Sequence, residues 1–320
     1  MTYSSRFFLY GPFVLLLLLA GAAGVQWWRV AGALEAHLAA MRAHEAMPGV
    51  KLSYGALTVG GFPFNVDAVF GDLRVEVATP KGPIVWRAEH FAMHTLTYGR
   101  DEAVFEAAGR QSFSWGTGRA LDFQAGSLHA SAIRDAGGLA RFDLDLVAFG
   151  SRLFTASRLQ LHLRRTGDAL DVALSGDDVQ LHRDRIKTAM LQASVSAPRA
   201  FDGLRAGRTD WQTALEAWRK AQGVLHVAPV QIATDTLEAM GQGNLRFDEA
   251  NRPSGLIDFK IAGMPEWLRR DQRGILADAL RARAAEAGTN DAGKLGIVLG
   301  AQNGIAYLGE TPLGPVDPLY

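Results

Sequence analysis

The sequence predicts a mainly β fold with some α: an N-terminal transmembrane helix, then a large curved antiparallel β-sheet with two or three packed helices. Three observations predict it. Phe7 to Trp28 contains no charged side chain and is bracketed by Arg6 and Arg29. From Lys51 onward apolar residues recur at every second position, the period of a half-buried strand. Short turn clusters separate these runs, with no helical spacer of the βαβ kind, so the strands connect as hairpins in an antiparallel sheet.

The apolar run comes first. Its 22 residues, at about 1.5 Å each, span roughly 33 Å, enough for a hydrocarbon core of about 30 Å. Leu15 to Leu19 favour insertion by roughly 2 to 3 kcal/mol together. Aromatic residues mark both ends, Phe7, Phe8 and Tyr10 on one side and Trp27 and Trp28 on the other, as membrane interfaces require. The competing reading is a cleaved leader, with Arg6 as its positive region and Ala20-Gly21-Ala22 as a cleavage site. The run continues past that site to Trp28, longer than the usual leader core of about 7–15 residues, which favours a retained anchor. With no cysteine in the chain, lipoprotein-type attachment is excluded. A short polar head before the span suits a single-pass, N-in anchor in the inner membrane, with the bulk in the periplasm. The expected division is 1–28 membrane anchor, 29–48 helical stalk and 49–320 β-rich exported domain, with a subdomain boundary near 200.

Composition narrows the partners. Equal numbers of basic and acidic groups, 33 each, argue against nucleic acid. The absence of cysteine also removes thiolate nucleophiles and zinc–thiolate sites. Neither a cofactor nor a metal is implied, and the expected partners are the membrane and either a lipid or an envelope protein.

Arg29 to Met47 is rich in Ala, Leu and Glu, with Val30, Ala33, Leu34, Leu38 and Met41 at helical spacing, so the span should continue as a stalk until Pro48-Gly49 stops it. Phe62, Phe64, Val66, Ala68 and Phe70 then alternate with polar residues, as do Leu73, Val75 and Val77. Phe142, Leu144 and Leu146 do so against Arg141, Asp143 and Asp145. Leu159, Leu161 and Leu163 continue the pattern, and so do Leu170, Val172 and Leu174, with Ser175-Gly176-Asp177 reading as a turn. Asp210 to Gln222 reads as a helix with Trp211, Leu215 and Trp218 on one stripe, Asp210 as N-cap and Gly223 as C-cap. A second helix is expected from Pro265 to about Gly288. Between them lies a hairpin whose second arm points Ile257, Phe259 and Ile261 one way, and Leu295 to Leu308 forms a last hairpin.

No catalytic motif survives inspection. G-x-S-x-G, S-x-x-K and H-E-x-x-H are absent. Gly288-x4-Gly293-Lys294 imitates a phosphate loop but is followed by Leu295, where a Mg²⁺-binding hydroxyl belongs. His90 and His94, with Glu89 beside them, are the remaining candidates for metal binding or for an anchored hydrolase, and both uses need a further group from elsewhere.

What the pattern does require is cover. A two-faced sheet must bury its apolar side under helices, a second layer, a partner or lipid chains. If that side is a trough for lipid, Phe62, Phe64, Val66, Phe70, Phe142, Leu144, Leu146, Ile257, Phe259 and Ile261 should line it. An ordinary closed core is the competing reading, because alternation reports burial and not what does the burying.

The N-terminal membrane helix, Gly61-Phe62-Pro63-Phe64, the Trp-bearing helix ending near Gly223, the Gly241-x-Gly243 hairpin and the Pro312-Leu313-Gly314 ending resemble domain-of-unknown-function family 2125, a bacterial group of anchored envelope proteins. That resemblance implies an envelope location and brings no catalytic residues with it. More loosely, the strand-rich second half is similar to AsmA-like proteins and the lipopolysaccharide-transport bridge. That likeness implies a curved sheet offering an apolar trough to acyl chains, and architecture alone constrains function weakly. The leading expectation is therefore a non-enzymatic, membrane-anchored binder of lipid, another apolar ligand or a membrane-protein partner. A structural or assembly factor of an envelope complex is the alternative.

Overall fold

A computed structural model of the chain describes residues 5–98, 101–116, 118–167, 169–181, 184–263, 278 and 294–319. A single helix, α1 (Ser5–Ala43), carries the apolar run and continues beyond it. It stops before the expected Pro48 because Glu45–Met47 (β1) turns at Pro48-Gly49 to pair with Val50–Ser53 (β2). The first half of the sheet adds β3 (Ala56–Gly60), β4 (Asn65–Val77), β5 (Ile84–Leu96), β6 (Glu102–Trp115), β7 (Arg119–Gln124) and β8 (Ser127–Asp135). It continues through β9 (Gly138–Ser151), β10 (Phe154–Thr166), β11 (Ala169–Leu181) and β12 (Asp184–Val195). After α2 (Asp202–Arg205) and α3 (Trp211–Lys220) come β13 (Leu225–Thr234), β14 (Leu237–Phe247) and β15 (Pro253–Gly263). The last strands are β16 (Lys294–Gln302), β17 (Ile305–Leu308) and β18 (Thr311–Pro315). The helix expected from Pro265 to Gly288 lies outside the described residues, Asp278 excepted.

All described strands belong to one antiparallel sheet of 18. From β4 onward it is a meander in which each strand pairs with the next, except that β7 and β8 lie end to end between β6 and β9. Most connections are short hairpins, so sequence neighbours become ladder neighbours, and the two long ones, after β12 and after β15, also return the chain to the adjacent position.

A crease crosses β4 to β11. Asp72, Gly109, Ala148 and Asp178 all take left-handed φ, at 53°, 77°, 52° and 49°. The ladders place them on one line: Asp72 faces the step in β5 at Glu89, Gly109 sits at the register shift across from it, and Ala148 and Asp178 flank Ser157. At each crossing the inward side chains step by three residues instead of two, as in Phe70 to Leu73 and Leu146 to Phe149. Bulges bend a sheet and sharpen its twist. Ser175-Gly176-Asp177, expected as a turn, lies within β11 next to this crease, so the strand runs on to Leu181.

The expected stalk is instead a packed element. Leu34, Leu38 and Met41 of α1 lie on Ala68, Phe70 and Leu73, with Tyr54 closing the side, and Arg42 stands 4.9 Å over the Tyr54 ring. Trp86 and Phe91 contact this cluster and also the neighbouring one around Ala88, Leu128, Leu146 and Phe149. Thus α1 covers the apolar face of β2 to β5, the same face that continues across the sheet.

The opposite face is wet and ionic. Arg158 donates through Nε and Nη2 to both oxygens of Asp145, at 2.7 and 3.0 Å, and this fork holds the Asp145 carboxyl below its ordinary range. Burial opposes ionisation of Asp143, but hydrogen bonds from His162 and Arg141 outweigh it and lower its pKa.

Helix α3 forms as its pattern predicts. Asp210 caps it, accepting from the Thr213 backbone N–H at 2.7 Å. The left-handed residue at its end is Gln222, φ 54°, and not Gly223. Gly223 has a different reason to be glycine: a Cβ there would overlap the Trp218 ring, which is buried and donates to Ser196 O at 2.7 Å. The segment also reaches across the sheet, since Trp211 donates to Ala78 O at 3.2 Å at the far end of β4. Pro318, near the end of the chain, likewise accepts from Lys81 in the β4–β5 loop.

Two outcomes follow from this packing. Leu73 is 2% exposed beneath α1, so Leu73→Ala should cost about 2–5 kcal/mol, measured by urea unfolding of the detergent-solubilised protein. The Thr213 N–H holds the Asp210 carboxyl below the usual range. Such a group stabilises the fold above its unfolded pKa of about 3.9 and loses that contribution as pH falls through its lower folded value. Asp210→Ala should therefore cost about 1 kcal/mol at pH 7, with the gap to wild type narrowing as urea titrations are repeated at pH values below about 3.9.

Candidate apolar trough

The ladder registers decide which residues share the inward face on the α1 side of the crease. From Phe142 one row runs through Leu163, Val172, Ala193, Val227 and Gly243 to Ile257. The next runs from Leu144 through Leu161, Leu174, Leu191, Val230 and Gly241 to Phe259. The third runs from Leu146 through Leu159, Gly176, Ala189, Ile232 and Ala239 to Ile261. No polar side chain stands in any of the three. A register shift at Ala228-Pro229 keeps Val227 and Val230 both facing inward, which a continuous two-residue period would not. Proline is tolerated there because a bulge needs no ladder donor.

So the six expected lining residues of β9 and β15 fall pairwise into the same rows, six strands apart. The same rows extend backward: Phe142 faces Ala132, Ala103 and Thr95 in turn, ending opposite Val66, and Leu146 leads by Leu128, Ala107 and Phe91 to Phe70. Val66 and Phe70 are buried, at 0% and 3% exposure, and Phe70 lies under α1. Both therefore sit in closed core. Leu146 is buried as well, packed with Phe149 and Ala156. By contrast Leu174, in the middle of the face, is 50% exposed.

Phe62 and Phe64 do not belong to the strand that their spacing suggested. They lie in the turn before β4 and are 60% and 64% exposed. The alternation matched only because Asn65 happens to start β4 in the same phase. Phe62 packs edge-on against Trp27 at 5.6 Å between ring centroids, and Trp27 Nε1 donates to Asn65 O at 2.7 Å. Of the expected interface aromatics, Tyr10 and Trp28 are exposed, Trp27 is half-buried, and the side chains of Phe7 and Phe8 lie outside the described part.

Beside α1 the apolar face opens into a cavity of about 780 Å³. Val30, Ala33 and Leu34 of the helix form one wall, and Met93, Leu96 and Ala103 of β5 and β6 form the other. Gln26, Arg29, His37, Thr95, Glu102 and Arg134 contribute polar groups to its lining. Arg29 and Arg134 make no ion pair among the described residues, and Met93 and Ala103 belong to the inward rows. Sequence reading missed this cavity, because helical spacing in Val30 to Met41 predicts a buried stripe without saying which sheet it meets. It also left Leu161 and Leu174 out of the lining, although their alternation was the same signal.

His90 and His94 stand four residues apart on β5, about 13 Å along a strand, too far to share a metal. His94 Nδ1 is 2.8 Å from Asp67 Oδ1, and its Nε2 is buried without a partner. The pair thus has a base and an orienting acid with no nucleophile against it. Among the described residues no group of three or more acidic or histidine side chains is placed to hold a metal.

Of the helices described, α1 alone is long and apolar enough to cross a membrane. No curated protein matches the chain. The model of a family described as an uncharacterized protein conserved in bacteria, DUF2125, matches residues 27–317, starting at Trp27 and taking in the whole sheet, and the chain belongs to that family.

Proposed function

We propose that this protein is a single-pass, membrane-anchored envelope protein, non-enzymatic, whose periplasmic sheet receives the acyl part of a lipid. The observation that carries the reading is the set of three apolar rows from β9 to β15, which continue under α1 with Thr95 as the one polar member of the extension and are half exposed at Leu174. A folded protein in water rarely leaves a large contiguous apolar surface without an interaction to make. The cavity between α1 and β5–β6 supplies the entrance, since it adjoins the helix where the apolar run ends at Gln26 to Arg29 and shares its sheet wall with the rows. Apolar walls lined by the Arg29 and Arg134 guanidinium groups, two cations against the one Glu102 carboxylate, suit a lipid with an anionic head, because arginine pairs with phosphate in a bidentate fork. The roles of Phe142, Leu144, Ile257, Phe259 and Ile261 are then to hold chain carbons by dispersion and burial, with no polar selectivity among them.

The test is native extraction of the full chain followed by mass spectrometry of bound lipid. Lipid should co-purify with the wild type. Leu174→Asp, which puts a charge on the half-exposed floor, should reduce it several-fold while circular dichroism of the sheet stays unchanged. Ala33→Trp, which fills the entrance, should do the same. Wild-type protein that emerges without lipid from extraction in several detergents would remove the proposal.

A further inference from the structure

Four aromatic side chains are exposed at one end of the sheet: Trp28 at 73%, Phe62 at 60%, Phe64 at 64% and Tyr98 at 77%. They are held close together. Thr97 is buried and donates both its N–H and its hydroxyl to Phe64 O at 3.0 Å, which seats Tyr98 beside the Phe64 turn. Asn65 and Leu96 face each other across the β4–β5 ladder directly behind them. No charged residue lies in Gly61 to Phe64 or in Leu96 to Tyr98.

The height of this cluster along α1 is fixed by two contacts. Trp27 bonds to Asn65 O, and Phe62 reaches one turn further toward the apolar run, where a Cβ at Gly24 would lie 3.8 Å from its ring. Three residues of helix are about 4.5 Å. The Phe62 ring therefore stands level with residues inside the uncharged segment, past its last tryptophans. A side chain at that level beside a spanning helix meets lipid and not water.

From this continuity we infer that the Gly61–Phe64 turn and the Leu96–Tyr98 corner insert into the headgroup–acyl boundary of the same leaflet that α1 leaves, resting the sheet end on the membrane. Phenylalanine contributes an apolar ring, while tryptophan and tyrosine keep a polar edge for the wet side. Because Leu96 also lines the cavity beside α1, this seating turns the cavity mouth toward lipid. The inference rests on the anchor reading of α1 but not on lipid occupancy of the trough.

The chain has no cysteine, so single cysteines can be spin-labelled in the full-length protein in nanodiscs. Labels at Phe64→Cys and Tyr98→Cys should favour oxygen over a water-soluble nickel chelate by several-fold relative to Arg119→Cys, at the other end of β6. With the Tyr98→Cys label in place, Phe62→Ser with Phe64→Ser should move its ratio toward the Arg119→Cys value. Water-like values at both loop positions, with a lipid-like value at Leu17→Cys, would overturn the docking and leave the anchor intact. A water-like value at Leu17→Cys would overturn both.

Discussion

The constraint on which the rest depends is phase. In a strand the side-chain period is two, so a slip of one residue would move an entire row from the apolar face to the wet one. Twelve strands, β4 to β6 and β8 to β16, keep their inward rows aligned here. Along the crease, where one strand departs from the period its neighbours depart on the same line, as Asp72, Gly109, Ala148 and Asp178 do, whereas the shift at Ala228-Pro229 is confined to β13. A bulge confined to one strand would have put Phe149 or Val179 among the ion pairs of the outer face. Spread across adjacent strands, the same irregularity bends the sheet and leaves its two faces distinct.

That distinctness assigns α1 two tasks. Its first part is apolar all round, and its second is apolar on the stripe of Leu34, Leu38 and Met41 that meets Ala68, Phe70 and Leu73. One helix is therefore apolar enough to cross a membrane along one half and packs on the sheet along the other, with Trp27 at the junction bonded to Asn65 O. The sheet is thus tied to α1 at the turn before β4 as well as through the chain leading into β1. A flexible connection would let the sheet swing about the helix. The packed helix holds the cavity beside Arg29 next to the end of the apolar run.

Much of this was legible because it is periodic. The long apolar helix, the strands around Leu144 and Leu161, the β14–β15 hairpin and the capped helix at Asp210 all announce themselves through local spacing. The inward direction of Phe142, Leu144, Ile257 and Phe259 followed from alternation alone. What could not be read were facts of contact between distant segments. Nothing in Val30 to Met41 says that it will lie on β4 and not stand free. The phase of Phe62 and Phe64 continues that of Val66, so the period cannot tell a strand from the turn that precedes it. Likewise Ser175-Gly176-Asp177 has the composition of a turn, and only the ladder to β10 shows that Gly176 sits opposite Leu159 inside a strand.

Glycine in the rows bears on whether the face is a trough or half of a sandwich. Glycine weakens a strand interior, so its presence there needs a reason. At Gly241 a Cβ would come within 2.6 Å of the Phe259 ring, and at Gly176 within 3.1 Å of both Leu159 and Val179. Neighbouring side chains lie down over these positions, along the sheet. In a two-layer core the inward side chains of each sheet interdigitate with those of a facing sheet about 10 Å away. A ring folded onto its own sheet over a glycine reaches less far toward any such layer and presents its face outward. Low, smooth and without hydrogen-bonding side chains, that surface has the chemistry of a bed for a flexible hydrocarbon, which needs contact area and no partner atoms of fixed geometry.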